Sequence, residues 1–198
     1  KERVGVSALD LILACALVVF LSLLPFALEY AAGKSNRAYD AAIMRLASAV
    51  FYERYIVYSL IIAASSVAIV LYIHWSKIAR LLLCAVLALV SFNFILAPVV
   101  AHAQQQPLRD AANFILSSPK HANKNIVYYK LNMPSFSVYL QRLVTKVAPK
   151  AGDLVITKIS AVDSLAKLNT RIELILLFSE GGIALYQFGA DHEGGTRE

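Results

Sequence analysis

Three stretches of the chain, Leu11–Leu28, Tyr55–Ile73 and Leu81–Ala101, contain no Asp, Glu, Lys or Arg. Each approaches the ~20 residues that cross a ~30 Å hydrocarbon layer as a helix rising ~1.5 Å per residue. The pattern predicts membrane spans over about residues 8–30, 55–74 and 79–101, inside a membrane region covering residues 1–103. Three buried helices of a soluble protein are the alternative, but too little polar chain is left to cover them. Between the first two spans, the linker 34–54 repeats Tyr39, Ile43, Leu46 and Val50 at spacings of three and four, with Arg37, Asp40, Arg45 and Ser48 elsewhere. That spacing predicts an amphipathic helix, either lying in the membrane interface or packed on a soluble domain.

Past the third span the pattern becomes globular, and residues 104–190 read as one small α/β domain. Gln104-Gln105-Gln106 is a polar break before Pro107, which suits the first turn of a helix striped by Leu108, Ala111, Ala112, Ile115 and Leu116. Ser117-Ser118-Pro119 stops that helix, and Ile126–Lys130 reads as a strand. Pro134 opens a second helix with Phe136, Tyr139, Leu140 and Leu143 on one face. Ala148–Gly152 is a turn and Asp153–Ile159 a strand. Ser160 and Asp163 have capping-box spacing before a short helix with Leu165 and Leu168. Ile172–Phe178 and Ile183–Phe188, joined through Ser179-Glu180-Gly181-Gly182, read as a β-hairpin. The tail 191–198 is polar. The expected fold is therefore membrane α-helical, with three transmembrane helices plus an interfacial helix, followed by a small extracytoplasmic α/β domain.

Composition agrees: of 198 residues, 59% are hydrophobic and 16% charged, and the mean hydropathy is +0.62. An ordinary soluble domain is about half apolar and about a quarter charged. The net charge of +6 could point to nucleic acid. However, the basic residues are scattered without a recognition motif, so a basic surface beside a membrane explains them better. The acid-free turn His74–Arg80, with Trp75 as an interfacial anchor, is expected in the cytoplasm by the positive-inside rule. The linker weakens that inference, because it carries Lys34, Arg37, Arg45 and Arg54. Lys1 stands where Met would begin a complete protein, which leads us to expect a piece of a longer chain.

Little in the sequence announces chemistry. Cys15 and Cys84 lie inside spans and read as apolar packing residues. His74, His102, His121 and His192 have no metal-type spacing, so no metal or cofactor is expected, and no nucleophile triad or phosphate-binding Gly loop is present. Gly181-Gly182 is better explained as a hairpin turn than as a phosphate cradle. Asn93, within the third span, is expected to make a helix-to-helix hydrogen bond.

Several segments together are similar to a known family. Ile126-Val127-Tyr128-Tyr129-Lys130, followed by Met133-Pro134-Ser135-Phe136-Ser137-Val138-Tyr139-Leu140-Gln141-Arg142, resembles a series in the C-terminal domain of bacterial polyprenyl-phosphate-sugar glycosyltransferases. These are GT-C enzymes related to protein O-mannosyltransferases and to the aminoarabinose transferase that modifies lipid A. Asp153–Lys158 resembles the family's next strand, Gly181–Tyr186 its closing hairpin, and Phe51–Tyr55 the basic-plus-Tyr start of a late span. Ser59 and its neighbours stand where the family has a proline, and the linker is longer than usual. The resemblance implies the C-terminal portion of an enzyme of the bacterial inner membrane, with the α/β domain on the periplasmic side. Such an enzyme passes a sugar from a polyprenyl phosphate donor to a lipid or protein acceptor. Its catalytic acid would lie upstream of Lys1, so no catalytic residue is assigned. Arg54, Tyr55 and Arg45 are the candidates for holding the carrier-lipid phosphate, because an arginine fork can donate two hydrogen bonds to phosphate oxygens. The rival reading is a non-enzymatic, membrane-anchored extracytoplasmic domain for binding or assembly.

Overall fold

A computed structural model describes residues 8–72, 76–168 and 173–189. Lys1, His74 and Trp75 of the basic turn, Ile172, and the tail with His192 lie outside the described residues. The chain divides into two compact units. One takes the chain up to Gly33 together with Met44–Ala103, and the other takes Lys34–Ile43 together with the chain from Gln104 onward.

The first unit is helical: α1 (Ala8–Lys34), α2 (Ala38–Val50), α3 (Ile56–Tyr72), α4 (Lys77–Ser91) and the start of α5 (Ala97–Ser117). Three stretches, Cys15–Lys34, Ala38–Ala68 and Ile78–Ser117, are long and apolar enough to cross a membrane. Many of their large apolar side chains point outward, with Val57 and Leu82 each 62% exposed and Phe94 71%. A continuous apolar surface of this kind suits hydrocarbon, not water. Polar groups within the helices turn back onto the backbone. The hydroxyls of Ser59, Ser66 and Ser91 donate to the carbonyls of Tyr55, Ile62 and Leu87 at 2.7, 2.7 and 2.8 Å. Asn93 does the same: its amide donates to the Leu89 carbonyl at 2.8 Å. The expected helix-to-helix bond is thus replaced by one within the same helix, which needs no partner. Across helices, the buried Ser48 hydroxyl donates to the Pro25 carbonyl at 3.1 Å, and Phe26 meets Tyr52 edge to face at 5.8 Å.

Two single π turns interrupt the helical ladder, at Phe51–Tyr55 and Phe92–Leu96. In each, the N–H five residues on closes the ring: Ile56 to the Phe51 carbonyl, and Ala97 to the Phe92 carbonyl. The second has a local cause. Pro98 brings no N–H, and its ring crowds the carbonyl four residues back, a conflict that an inserted residue relieves. Because the π turn at Phe51 joins α2 to α3 without a break, the linker is not a separate interfacial helix. Residues 38–72 run on as helix for roughly 50 Å at ~1.5 Å per residue, longer than a ~30 Å hydrocarbon layer.

The second unit holds a four-stranded sheet in the order β1-β2-β4-β3: β1 (Ile126–Tyr129), β2 (Leu154–Lys158), β3 (Leu174–Glu180) and β4 (Ile183–Phe188). The pair β1–β2 is parallel, with Val127 opposite Val155, and β4 runs antiparallel to both β2 and β3. Strand alternation sorts the side chains to two faces. Ile126, Tyr128, Leu154, Ile156, Ile183 and Leu185 join one core with Leu108, Ala111, Ala112 and Ile115 of α5, Phe136 of α7 (Pro134–Tyr139) and Leu140 just after it. Val127, Val155 and Phe188 face the other way, against Leu165 of α8 (Val162–Ala166). The sheet therefore carries helices on both faces.

Local details depart from the sequence expectation in several places. Gln104–Pro107 is not a break, because α5 continues from Ala97 to Ser117 with Pro107 inside it. An interior proline costs ~3 kcal/mol, and the fully buried stripe from Leu108 to Ile115 offsets it. α7 ends at Tyr139, so Leu143 falls outside the helix and is 84% exposed. Ser160 does not cap α8: the cap position is Ala161, the last residue of a 3₁₀ turn at Ile159–Ala161. Beyond Ser117, Pro119 opens a four-residue helix, α6 (Pro119–Ala122).

The hairpin forms, with a shorter turn than expected: β3 runs through Ser179 and Glu180 and leaves Gly181-Gly182 alone as the connection. Gly181 and Gly182 sit at φ +53° and +80°, the pair of positive values that a two-residue type I′ turn demands. Further along β3, the pairing jumps from Leu176–Tyr186 to Phe178–Leu185, a bulge at Leu177.

Candidate functional site

The three arginine and tyrosine candidates do not form a cluster. Arg45 on α2 and Arg54 in the first π turn are exposed, and Tyr55 is half-buried. The two arginines are nine positions apart on continuous helix, roughly two and a half turns, so they project from different sides. Asp40 lies 3.9 Å from Arg37, an exposed pair that adds little stability.

The residues that carried the family resemblance are engaged in holding the second unit together. Pro134 starts α7, where its missing N–H costs nothing. The Tyr128 hydroxyl donates to the Met133 carbonyl at 2.7 Å, fixing the loop between β1 and α7. The Ser137 hydroxyl oxygen accepts from the Val144 N–H at 3.3 Å, and the Tyr139 hydroxyl donates to Gln105 Oε1 at 3.1 Å. Arg142 Nη1 donates to the Ala122 carbonyl at 2.8 Å and ties α6 to the end of α7. Beside that tie, His121 stacks on Phe114 at 5.8 Å. Burial, and then the neighbouring charges of Lys124 and Lys120, push its imidazole pKa below the usual value. Before β2, Asp153 closes the turn by accepting from the Lys150 N–H at 2.8 Å and the Asn125 amide at 3.1 Å.

A cleft of about 650 Å³ opens at the carboxyl ends of the two parallel strands. That end of an open α/β sheet is where ligands commonly bind. Tyr129 and Lys130 come from the end of β1, and Lys158 from the end of β2. Lys146 comes from the connection that pairs Thr145 beside Val127. Lys130 holds a left-handed conformation at φ +49°, uncommon for a residue with a long side chain. The turn sends the next residue, Leu131, into the core and leaves Lys130 exposed at the mouth. Asn132, Met133, Val147 and Leu168 are also among the lining residues, and none of the described lining residues is acidic.

Lys158 also reaches the start of α2, with its ammonium 4.4 Å from the centre of the Tyr39 ring. Tyr39 in turn lies so close to the hairpin that a Cβ on Gly182 would come within 2.8 Å of its ring and 3.1 Å of its carbonyl. Sequence reasoning assigned Tyr39 to a membrane-linked stripe and the lysines to a scattered basic surface. Their convergence was visible only through strand order, since Lys158 lies 28 positions beyond Lys130. Among the described residues no group of His, Cys, Asp and Glu could hold a metal ion. No family model, curated protein or solved structure matches the chain.

Proposed function

We propose that this chain is the C-terminal portion of an integral membrane glycosyltransferase of the bacterial inner membrane. It would transfer a sugar from a polyprenyl phosphate carrier to a lipid or protein acceptor, with the α/β unit on the periplasmic side. One observation carries the reading. The segments that resemble the family, Ile126–Lys130, Met133–Arg142, Asp153–Lys158 and Gly181–Tyr186, make up strand, helix, strand and hairpin of a single unit. In this reading the catalytic acid belongs to a part of the enzyme outside this chain, and Arg54, with Tyr55 beside it, binds the carrier phosphate, while Arg45, on a different side of the helix, stays outside that site. Arg54 suits that role because it is exposed in the π turn that leads into α3. π turns recur at functional sites in helices.

The test is transfer by the full-length protein in proteoliposomes supplied with a polyprenyl-phosphate sugar, read as release of polyprenyl phosphate. Arg54→Ala should raise the KM for the carrier about tenfold, with kcat and expression unchanged. Arg54→Lys should recover part of the loss, because lysine offers a point charge without the fork. Absence of transfer by well-folded protein would leave the rival role, a membrane-anchored binding or assembly domain. Unchanged carrier kinetics in Arg54→Ala would remove the arginine from the site without touching the enzyme assignment.

A further inference from the structure

We propose that the cleft at the carboxyl ends of β1 and β2 binds a phosphorylated group about the size of a sugar phosphate. Lys130, Lys146 and Lys158 would be the phosphate-facing residues. Three lysines line one opening, and among the described residues no carboxylate lines it. Like charges gathered in a concave, partly apolar surface raise the local potential and draw in an anion. Lysine is a point-charge partner for phosphate oxygens, and three of them match a dianion better than a carboxylate.

The remaining lining describes the rest of the ligand. Asn132 offers an amide donor and acceptor, while Val147 and Leu168, 54% and 51% exposed, present apolar surface at the rim. A volume of about 650 Å³ exceeds what a bare phosphate fills and lies within the usual range for small-molecule sites. The cleft is also braced. The Tyr128 hydroxyl pins the Met133 carbonyl, and the Tyr39 ring holds the Lys158 ammonium. The same phosphate chemistry is offered by a soluble sugar phosphate and by the headgroup of an anionic lipid. The inference concerns the cleft alone and does not depend on the glycosyltransferase reading.

The experiment is lysine footprinting of the full chain in phosphatidylcholine nanodiscs, with an acetylating reagent and peptide mass spectrometry. Glucose 1-phosphate and pyrophosphate are the soluble probes, and nanodiscs containing phosphatidic acid supply the lipid probe. Lys130, Lys146 and Lys158 should be protected together, while the exposed Lys120 and Lys167 keep their reactivity. Protection by the soluble probes assigns a soluble ligand, and protection only in phosphatidic acid nanodiscs assigns a lipid headgroup. Lys146→Gln changes an exposed side chain, and Lys130→Asn keeps a residue type that tolerates the left-handed conformation. Neither should unfold the unit, and each should weaken protection of the remaining lysines about tenfold in probe concentration. Equal protection of all lysines, or none with any probe while circular dichroism reports folded protein, would overturn the proposal.

Discussion

Replacing Gly182 with alanine tests how tightly the start of α2 is held against the hairpin. At φ +80° any L-residue is disfavoured, by about 1–2 kcal/mol. The new methyl would also lie 2.8 Å from the Tyr39 ring and 3.1 and 3.2 Å from its carbonyl oxygen and Cα. A ring can rotate away, but the backbone of a helix cannot do so cheaply, and overpacking of this kind adds roughly 1–3 kcal/mol. Gly152 supplies the control: it sits at φ +88° with nothing within 4 Å of an added Cβ. Gly152→Ala therefore reports the conformational cost alone, and the difference between the two variants reports the close approach. Hydrogen exchange of β4 amides in the full chain is the assay. An excess of about 2 kcal/mol speeds exchange roughly thirtyfold. Adding Tyr39→Ala to Gly182→Ala should restore only part of that, since the backbone contacts persist. Should Gly182→Ala exchange no faster than Gly152→Ala, Tyr39 does not sit on the turn and the reasoning fails.

Other outcomes follow from the same geometry. Tyr139→Phe loses one partly buried hydrogen bond to Gln105 and should cost about 1 kcal/mol. Tyr139→Ala also loses its packing on the core and should cost several-fold more in thermal or denaturant unfolding. Phe136→Ala empties a fully buried site and should cost roughly 3–5 kcal/mol, enough to lower the yield of folded protein. Because the folded state holds the His121 pKa below its usual 6.5, folding favours the neutral ring. Its contribution is present above pH 6.5 and is lost as pH falls through that value toward the lower folded-state pKa. The melting temperature of the wild type should fall faster below pH 6.5 than that of His121→Gln, and parallel curves would refute the assignment. For topology, cysteines at Ser76 and Ser164 should be protected and reactive, respectively, toward an impermeant reagent in intact cells. The reverse pattern would overturn the proposed orientation.

The three apolar stretches were legible because a run without charge has few alternatives at that length. The α/β order was legible because Pro134, Gly181-Gly182 and the alternating strands each report a local backbone requirement. Segments were misjudged where a distant contact overrode a local signal. Pro107 and the three glutamines before it look like a break until the buried stripe that follows them is counted. Tyr39 shares a stripe with Ile43, Leu46 and Val50, yet its ring serves the sheet side of the division, near Gly182 and Lys158. The lysine cleft left no sequence mark. Its members are brought together by the parallel pairing of β1 with β2 and the bridge from Val127 to Thr145, which spacing along the chain does not encode.

The bulge at Leu177 bears on how copies of this protein tolerate crowding. β3 lies at the margin of the sheet, where an open row of backbone donors and acceptors invites a strand from another molecule. Ile175 and Leu176, both substantially exposed, would make such pairing adhesive. The inserted residue cuts the margin into Leu174–Leu176 and Phe178–Glu180, each too short to template a lasting ladder. At the opposite margin, Thr145 already occupies β1 through its carbonyl, which accepts from the Tyr128 N–H at 2.8 Å. Neighbouring copies would thus meet one broken margin and one partly occupied one, neither of them a long template for strand addition.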